Sequence, residues 1–286
     1  MSHGGGAPGG DDGRRFYKMS GSGNDFVFVD GRSRSAETWS TPEAIRRICA
    51  RGTGVGADGI VVLRPSSAGA TIGIDYWNSD GSLASLCGNA TLCATRLAVE
   101  LGIAPAGAEG LRIETGAGVL AARVVDDLPE FDLGPVSDVQ PDVDAVLAPG
   151  ESRVGYALAG VPHLVVRWSD EAGLGAVPLM TRGPILRHSP ALASGANINW
   201  VCQRPAGRWA MRTFERGVEG ETLACGTGAV ASAIVLAAWG EGGLETDLET
   251  GSGRILSVRL KRDGPRWLPT LRGEGRLIFE GALREL

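Results

Sequence analysis

The sequence predicts an α/β (α+β) protein made of two pseudo-symmetric domains, the product of an internal duplication. Three observations carry that expectation. Cys87-Gly88 and Cys225-Gly226 each sit in a Gly-rich polar turn that runs directly into an apolar helical stretch, Leu92 to Leu101 and Val230 to Trp239. Gly102 and Gly240 each stand fifteen residues beyond their cysteine and supply the expected helix stop. Glu114-Thr115-Gly116-Ala117-Gly118 and Glu249-Thr250-Gly251-Ser252-Gly253 then follow, each leading into a strand-like alternation, Val119 to Val125 and Arg254 to Leu260.

Composition fits this architecture and removes several function classes. A chain of 286 residues is long enough for two domains with their own cores. Its 44 glycines suit a turn-rich β structure with backbone-lined sites. A net charge of −5 gives no support for a nucleic-acid or membrane-surface partner. No apolar stretch is long enough to span a bilayer. Five cysteines, an odd number with no secretion signal ahead of them, point to a reducing, cytoplasmic location.

Residues 1–15 are rich in Gly, without an apolar segment, and read as a disordered leader. A first domain over 16–134 and a second over 135–274 are expected, with 275–286 returning to the first as a strand. Ser20 to Asn24 is a polar turn that presents Asn24 beside the apolar strand starting at Phe26. Pro42 to Arg51 reads as a short helix with Thr41 as N-cap. Gly52 to Gly59 is a glycine loop feeding a strand; with no helix after it, it is not a dinucleotide fingerprint. Ile72 to Trp77 is a strand delivering Asn78, nine residues before Cys87, just as Arg216 lies nine before Cys225. The Asp- and Pro-rich span from Asp126 to Gly150 marks the crossing between domains. His163 follows a turn, where a structural hydrogen-bonding role is expected. Asn197 and Asn199 open a further strand.

The two cysteines are the chemical centre. A thiol at a helix N-terminus faces unpaired amides and the positive end of the helix dipole, which favour a thiolate. The same amides can bind a carboxylate. The cysteines and histidines lack zinc-ligand spacing, and Walker and Gly-x-Ser-x-Gly motifs are absent. Only Lys18 and Lys261 could carry a pyridoxal Schiff base, and neither lies in a phosphate-binding context, so a mechanism with no cofactor and no metal is expected.

Taken in order, Gly-x-Gly-Asn-Asp-Phe at 21–26, Gly-Ala-Asp-Gly at 56–59, Asn-x-Asp-Gly-Ser at 78–82, Cys-Gly-Asn at 87–89, Pro-His at 162–163 and the long block from Glu215 to Gly228 resemble the diaminopimelate epimerase family. The resemblance runs from about Phe16 to near the C-terminus. It implies two domains, each a curved mixed β-sheet around a central helix, with the active site in the cleft between them. It implies stereoinversion of LL-2,6-diaminopimelate to the meso form, for lysine and peptidoglycan precursors, with Cys87 and Cys225 as catalytic acid and base. By the same resemblance Asn24, Asn78, Asn197, Glu215 and Arg216 contact substrate, and Gly88, Asn89, Gly226 and Thr227 hold the reacting carboxylate. Diaminopimelate is then the small-molecule partner, with no nucleic acid and no membrane, and a homodimer is compatible. Three positions depart from the commoner pattern: Val161 before the Pro-His pair, Ala90-Thr91-Leu92 after Cys-Gly-Asn, and one extra residue in Glu219-Gly220-Glu221. A same-fold racemase of histidine or a proline-like amino acid therefore stays open, as does a non-catalytic binder or thiol-redox protein.

Overall fold

A computed structural model describes residues 14–33, 35–169, 173–188, 195–204 and 207–284. In the first half, β1 (Arg15–Gly21) and β2 (Asn24–Asp30) form a hairpin. Its turn places Ser22 and Gly23 at φ 53° and 113°, the left-handed region that glycine favours. β2 runs parallel to β3 (Gly59–Arg64), and β3 antiparallel to β4 (Ile72–Asn78). The crossover between β2 and β3 holds α1 (Glu37–Ser40) and α2 (Pro42–Cys49). Thr41 caps α2, its Oγ1 accepting the Ala44 amide at 3.2 Å. β5 (Leu83–Ala84) folds back on β4, and α3 (Gly88–Glu100) follows. β6 (Gly107–Thr115) then pairs parallel with β4, and β7 (Gly118–Val125) and β8 (Leu128–Asp132) extend the ladder antiparallel.

After the short β9 (Val139–Gln140), the second half repeats this ladder step for step. β10 (Glu151–Ala159) pairs antiparallel with β11 (Val161–Trp168), and β11 parallel with β12 (Asn197–Gln203), with α4 (Leu179–Arg187) in the crossover. β13 (Trp209–Glu215) pairs antiparallel with β12, and β14 (Gly220–Thr222) folds back on it. Then come α5 (Gly226–Trp239), β15 (Glu245–Glu249) parallel to β13, and the antiparallel β16 (Ile255–Asp263) and β17 (Arg266–Arg272). The duplication read in the sequence is thus a duplication of strand pairing.

Two ladders close the arrangement. β8 pairs antiparallel with β17, Phe131 opposite Leu271, which joins the halves edge to edge. β18 (Arg276–Ala282) pairs with β1, and the Leu283 amide donates to the Arg14 carbonyl at 3.0 Å. The described strands therefore form one continuous sheet. It curves around the two long helices: α3 packs on β1, β7, β8 and β18, and α5 on β10, β11, β12, β16 and β17. α5 is apolar nearly all round, with Val230, Ala231, Ile234 and Val235 fully buried, as a central helix must be. Gly240 ends it in the left-handed conformation at φ 76°. Leu92, Leu97, Val230, Ile234 and Leu271 belong to one core shared by both halves. Among the described residues, no helix is long and apolar enough to cross a membrane.

Some expectations need correction. Of the leader expected over residues 1–15, residues 1–13 lie outside the described residues, but Arg15 is the first residue of β1, held by Ala282 across the ladder and by Glu280 at 2.6 Å. The Asp- and Pro-rich crossing contains β8 and β9, because Asp126 and Asp127 turn the chain tightly (φ 48° and 62°) back onto β7. The helix expected over 42–51 stops at Cys49: the Ile48 and Ala50 carbonyls are taken by the amides of Gly56 and Gly54 in the following loop.

Candidate active site

Cys87 and Cys225 are the N-cap residues of α3 and α5, with nearly the same extended backbone: φ −131°, ψ 118° and φ −134°, ψ 110°. The two helix starts meet. A Cβ added to Gly88 would lie 3.3 Å from the Gly226 Cα, and one added to Gly226 would lie 2.9 Å from Leu271 Cδ2 and 3.2 Å from the Gly88 Cα. Only glycine allows that approach. It brings two sets of first-turn amides, which have no intrahelical partner, to one place. Thr91 closes the first turn of α3, its Oγ1 donating to the Cys87 carbonyl at 2.9 Å. In α5 the Gly228 amide donates to Cys225 Sγ at 3.4 Å, and Thr227 Oγ1 lies 3.6 Å from the same sulfur.

The electrostatics differ from the sequence expectation of a thiolate. Burial pushes the Cys87 thiol up to about 12; the Ala90 and Asn89 amides oppose the shift and the Glu215 carboxylate adds to it. Burial likewise pushes Cys225 up to about 12, with Glu215 adding and Thr227 and the Gly228 amide opposing. The helix termini do favour the anion, but loss of water outweighs them. Burial also raises the Glu215 carboxyl above its usual range. Both thiols are neutral at rest, and a positively charged group entering beside them would shift the balance toward a thiolate.

The polar residues form two groups around the helix starts. In the first half, Asn89 Nδ2 donates to Asn24 Oδ1 at 2.6 Å, and Asn24 Nδ2 donates to Asp58 Oδ2 at 2.9 Å. Asp58 also takes the Asp25 amide, and Arg51 bridges Asp58 and Asp25 at 2.7 and 2.6 Å. Lys18 is committed to Asp25 at 2.6 Å. Asn78 joins through backbone: Ser79 N donates to the Asp58 carbonyl, while Asn78 Nδ2 bonds Ser82 Oγ at 3.0 Å rather than another site residue. In the second half, Asn197 Oδ1 accepts the Arg216 amide at 2.8 Å. His163, the register partner of Asn197, is fully buried with Asn199 Nδ2 3.1 Å from its Nδ1. Burial, then the nearby Arg216 charge, lower His163 to about 3, so it is neutral.

Sequence reasoning named the thiols and most of this polar set but gave no site role to three contributors. Asp58 lies in the Gly-Ala-Asp-Gly motif, whose glycines drew attention to the loop rather than to its carboxylate. Tyr76 lines a small cavity with Cys87, Ser85, Thr91 and Thr115, roomy enough for little more than one water. Its side chain comes from the strand leading to Asn78, and alternation along β4 was the available signal. Asn199 shares a strand face with Asn197 through the Asn-x-Asn spacing. The departures from the commoner motifs also have places. Val161 opens β11 next to Gly160, where an added Cβ would lie 3.6 Å from Thr227 Cγ2 at the start of α5. Leu92 is buried against Gly273 and Gly275. The extra residue falls in the β13–β14 hairpin, with Glu219 at φ 53° and Glu221 paired to Arg212 at 2.6 Å.

Two thiols at converging helix N-termini, with amides around them, place two acid–base groups beside an anion-binding position. The family model described as diaminopimelate epimerase matches residues 16–139 and 155–274. A diaminopimelate epimerase from Gemmatimonas aurantiaca is 49% identical over 281 residues, spanning 95% of this chain and 99% of the relative. One from Aquifex aeolicus is 36% identical over 282 residues, covering 94% and 98%. Among solved structures, a phenazine biosynthesis protein of the PhzF family from Bacillus anthracis superposes with a TM-score of 0.71 at 16% identity, covering 95% and 99% of the two chains. A hydroxyproline epimerase from Agrobacterium vitis gives 0.66 at 18% identity, covering 95% and 93%. At such identities these structures speak for the fold alone.

Proposed function

The chain belongs to the diaminopimelate epimerase family, and on that premise we propose that it inverts one α-carbon of LL-2,6-diaminopimelate to give the meso form, with Cys87 and Cys225 as the two acid–base groups. The observation that carries the site assignment is the meeting of the two helix starts at Gly88 and Gly226, each preceded by its cysteine.

The α-carboxylate takes the first-turn amides at Gly88, Asn89, Gly226 and Thr227, which leaves the α-carbon between the sulfurs. The α-ammonium brings a positive charge beside the thiols, and so favours loss of one thiol proton to water, leaving a thiolate against the cost of burial. That thiolate removes the α-proton from one face, and the electron pair left on carbon spreads into the carboxylate, where the amides stabilise it. The opposite thiol then delivers its proton to the other face, becoming the thiolate. One C–H bond breaks, one forms, and the net charge of the pair is unchanged. Asn24, held by Asp58 and Asn89, and Glu215 border this centre. Asn78, Asn197 and Arg216 take the distal amino-acid end, Arg216 with its second carboxylate. A cytoplasmic location, supported by five free cysteines, and a homodimer, supported by exposed Ile278 and Phe279 on β18, complete the reading. Light scattering tests the dimer.

The decisive experiment follows α-hydrogen exchange in deuterated water with diaminopimelate, histidine and proline as separate substrates. Exchange is expected with diaminopimelate alone. Cys87→Ala and Cys225→Ala should each lose inversion while keeping the wild-type Tm, whereas Cys49→Ala and Cys202→Ala retain it. Inversion by either of the first two variants at the wild-type rate overturns the assignment of the thiols. Preferential exchange of histidine or proline overturns the substrate.

A further inference from the structure

His163 is fully buried, and its two ring nitrogens are treated differently by the protein. Nδ1 faces Asn199 Nδ2 at 3.1 Å, while Nε2 is buried without a hydrogen-bond partner among the described residues. Which ring nitrogen carries the proton follows from Asn199. Its amide nitrogen also lies 3.1 Å from the Leu164 carbonyl, which can only accept. Its Oδ1 accepts from Thr213 Oγ1 at 3.0 Å. The amide is therefore held one way round, and both of its N–H groups are assigned, one to Leu164 and one to His163. Nδ1 must accept, and in a neutral imidazole the proton then sits on Nε2.

We propose that Asn199 is a positioning residue that locks His163 in the Nε2–H form, so that a buried donor faces the substrate pocket and waits for an anionic acceptor brought by the ligand. Three features support the pocket side. His163 pairs in register with Asn197, whose side chain holds the Arg216 amide, so the imidazole stands beside the proposed carboxylate clamp. Burial, and after it the Arg216 charge, keep the ring neutral, as a fixed donor rather than a shuttle. An orphaned N–H is costly in a protein interior, and a ligand oxygen would satisfy it. The space for adjustment is small: a Cβ at Gly228 in the first turn of α5 would come within 2.4 Å of Asn199 Oδ1. The amide is thus clamped between His163 and the helix that carries Cys225. This inference rests on the epimerase reading for the identity of the ligand, but not for the tautomer.

The test is the nitrogen NMR spectrum of the His163 ring, with Asn199→Asp as the variant. In the wild type, Nε2 should show a directly bonded proton and Nδ1 none, with no change from pH 5 to 9. Adding diaminopimelate should move the Nε2–H signal downfield as it gains an acceptor. A carboxylate at 199 cannot donate, so Asn199→Asp should shift the proton to Nδ1 or leave the ring doubly protonated. It should also lower kcat/KM by roughly 10–100-fold, the loss expected for one hydrogen bond to a charged group. Thr213→Val, which frees the amide to turn, should give a mixture of tautomers. An Nδ1–H ring in the wild type overturns the proposal even if no variant folds. An unchanged tautomer or unchanged kcat/KM in folded Asn199→Asp does the same. Failure of the epimerase reading would look different: the tautomer would be as stated, yet diaminopimelate would exchange no α-hydrogen.

Discussion

At the scale of single residues, buried groups whose charge the fold suppresses leave a signature in stability. His163 titrates near 3 in the native state, against an ordinary value of 6.5, because burial and then Arg216 disfavour the imidazolium. The unfolded chain takes up a proton as pH falls through 6.5, while the folded chain does not until near 3. This stability is fully present above pH 6.5 and is lost as pH falls toward 3. Between pH 7 and 4.5 the wild type should lose about 2–3 kcal/mol that a His163→Gln protein does not. Urea unfolding of both proteins at the two pH values measures the difference, and parallel losses would contradict it. The thiols behave in the opposite sense. Their native values are raised, so the stability they contribute is present below pH 9 and disappears as pH rises toward 12.

At the scale of elements, the contact between the starts of α3 and α5 sets how closely the two halves of the site approach. Gly226→Ala would push a methyl group against Leu271 and the Gly88 backbone. Overpacking of this kind costs about 1–3 kcal/mol. The fall in kcat should exceed what that loss of stability explains, because the two sets of amides are wedged apart. A drop in Tm with kcat intact would show that the approach is structural only. The elements also show what was legible in the sequence. The repeated Cys-Gly turn, the glycine stops and the Glu-Thr-Gly-x-Gly segments carry punctuating signals, and the helices and strands that they bound lie where they were expected. α4 carries Pro184 within it and has no side-chain cap, so no pattern announced it. The two-strand hairpins of β5 and β14 are too short for alternation to register. Cys87 and Cys225 were legible as helix caps, but their neutrality was not, since desolvation depends on chain segments far apart in sequence. Asn199 was visible as an amide. Its partners His163, Leu164 and Thr213 come from two other strands.

At the scale of the whole molecule, the halves are joined along β8 and β17, and an ion cluster lies across that seam. Glu130 on β8 has its side chain 1% exposed and pairs with Arg123 on β7 at 2.6 Å and with Arg259 on β16 at 2.5 Å. Both arginines keep some contact with water, so they remain tolerable if the carboxylate is removed. Glu130→Gln should destabilise the protein by about 1–3 kcal/mol, the range for losing a hydrogen bond to a charged group. It should leave the affinity for diaminopimelate within about twofold if the seam holds by backbone pairing alone. Urea midpoints and KM, measured together, separate the two effects; a large rise in KM at unchanged stability would mean that the cluster sets the cleft geometry.

The pairing of β18 with β1, sealed where Leu283 meets Arg14, makes the backbone nearly a ring. Where a ring is cut is a matter of covalent bookkeeping, not of packing. A permuted chain with a short linker from residue 284 to residue 14 and new ends between Val146 and Leu147, both exposed, keeps every ladder described above. In that protein Cys225 precedes Cys87. It should fold with the same far-ultraviolet spectrum and exchange the α-hydrogen of diaminopimelate. Loss of the fold would show that the direction of synthesis, and not only the final contacts, is needed to assemble the two halves. Survival would mean that the order of the two thiols along the chain carries no chemical information.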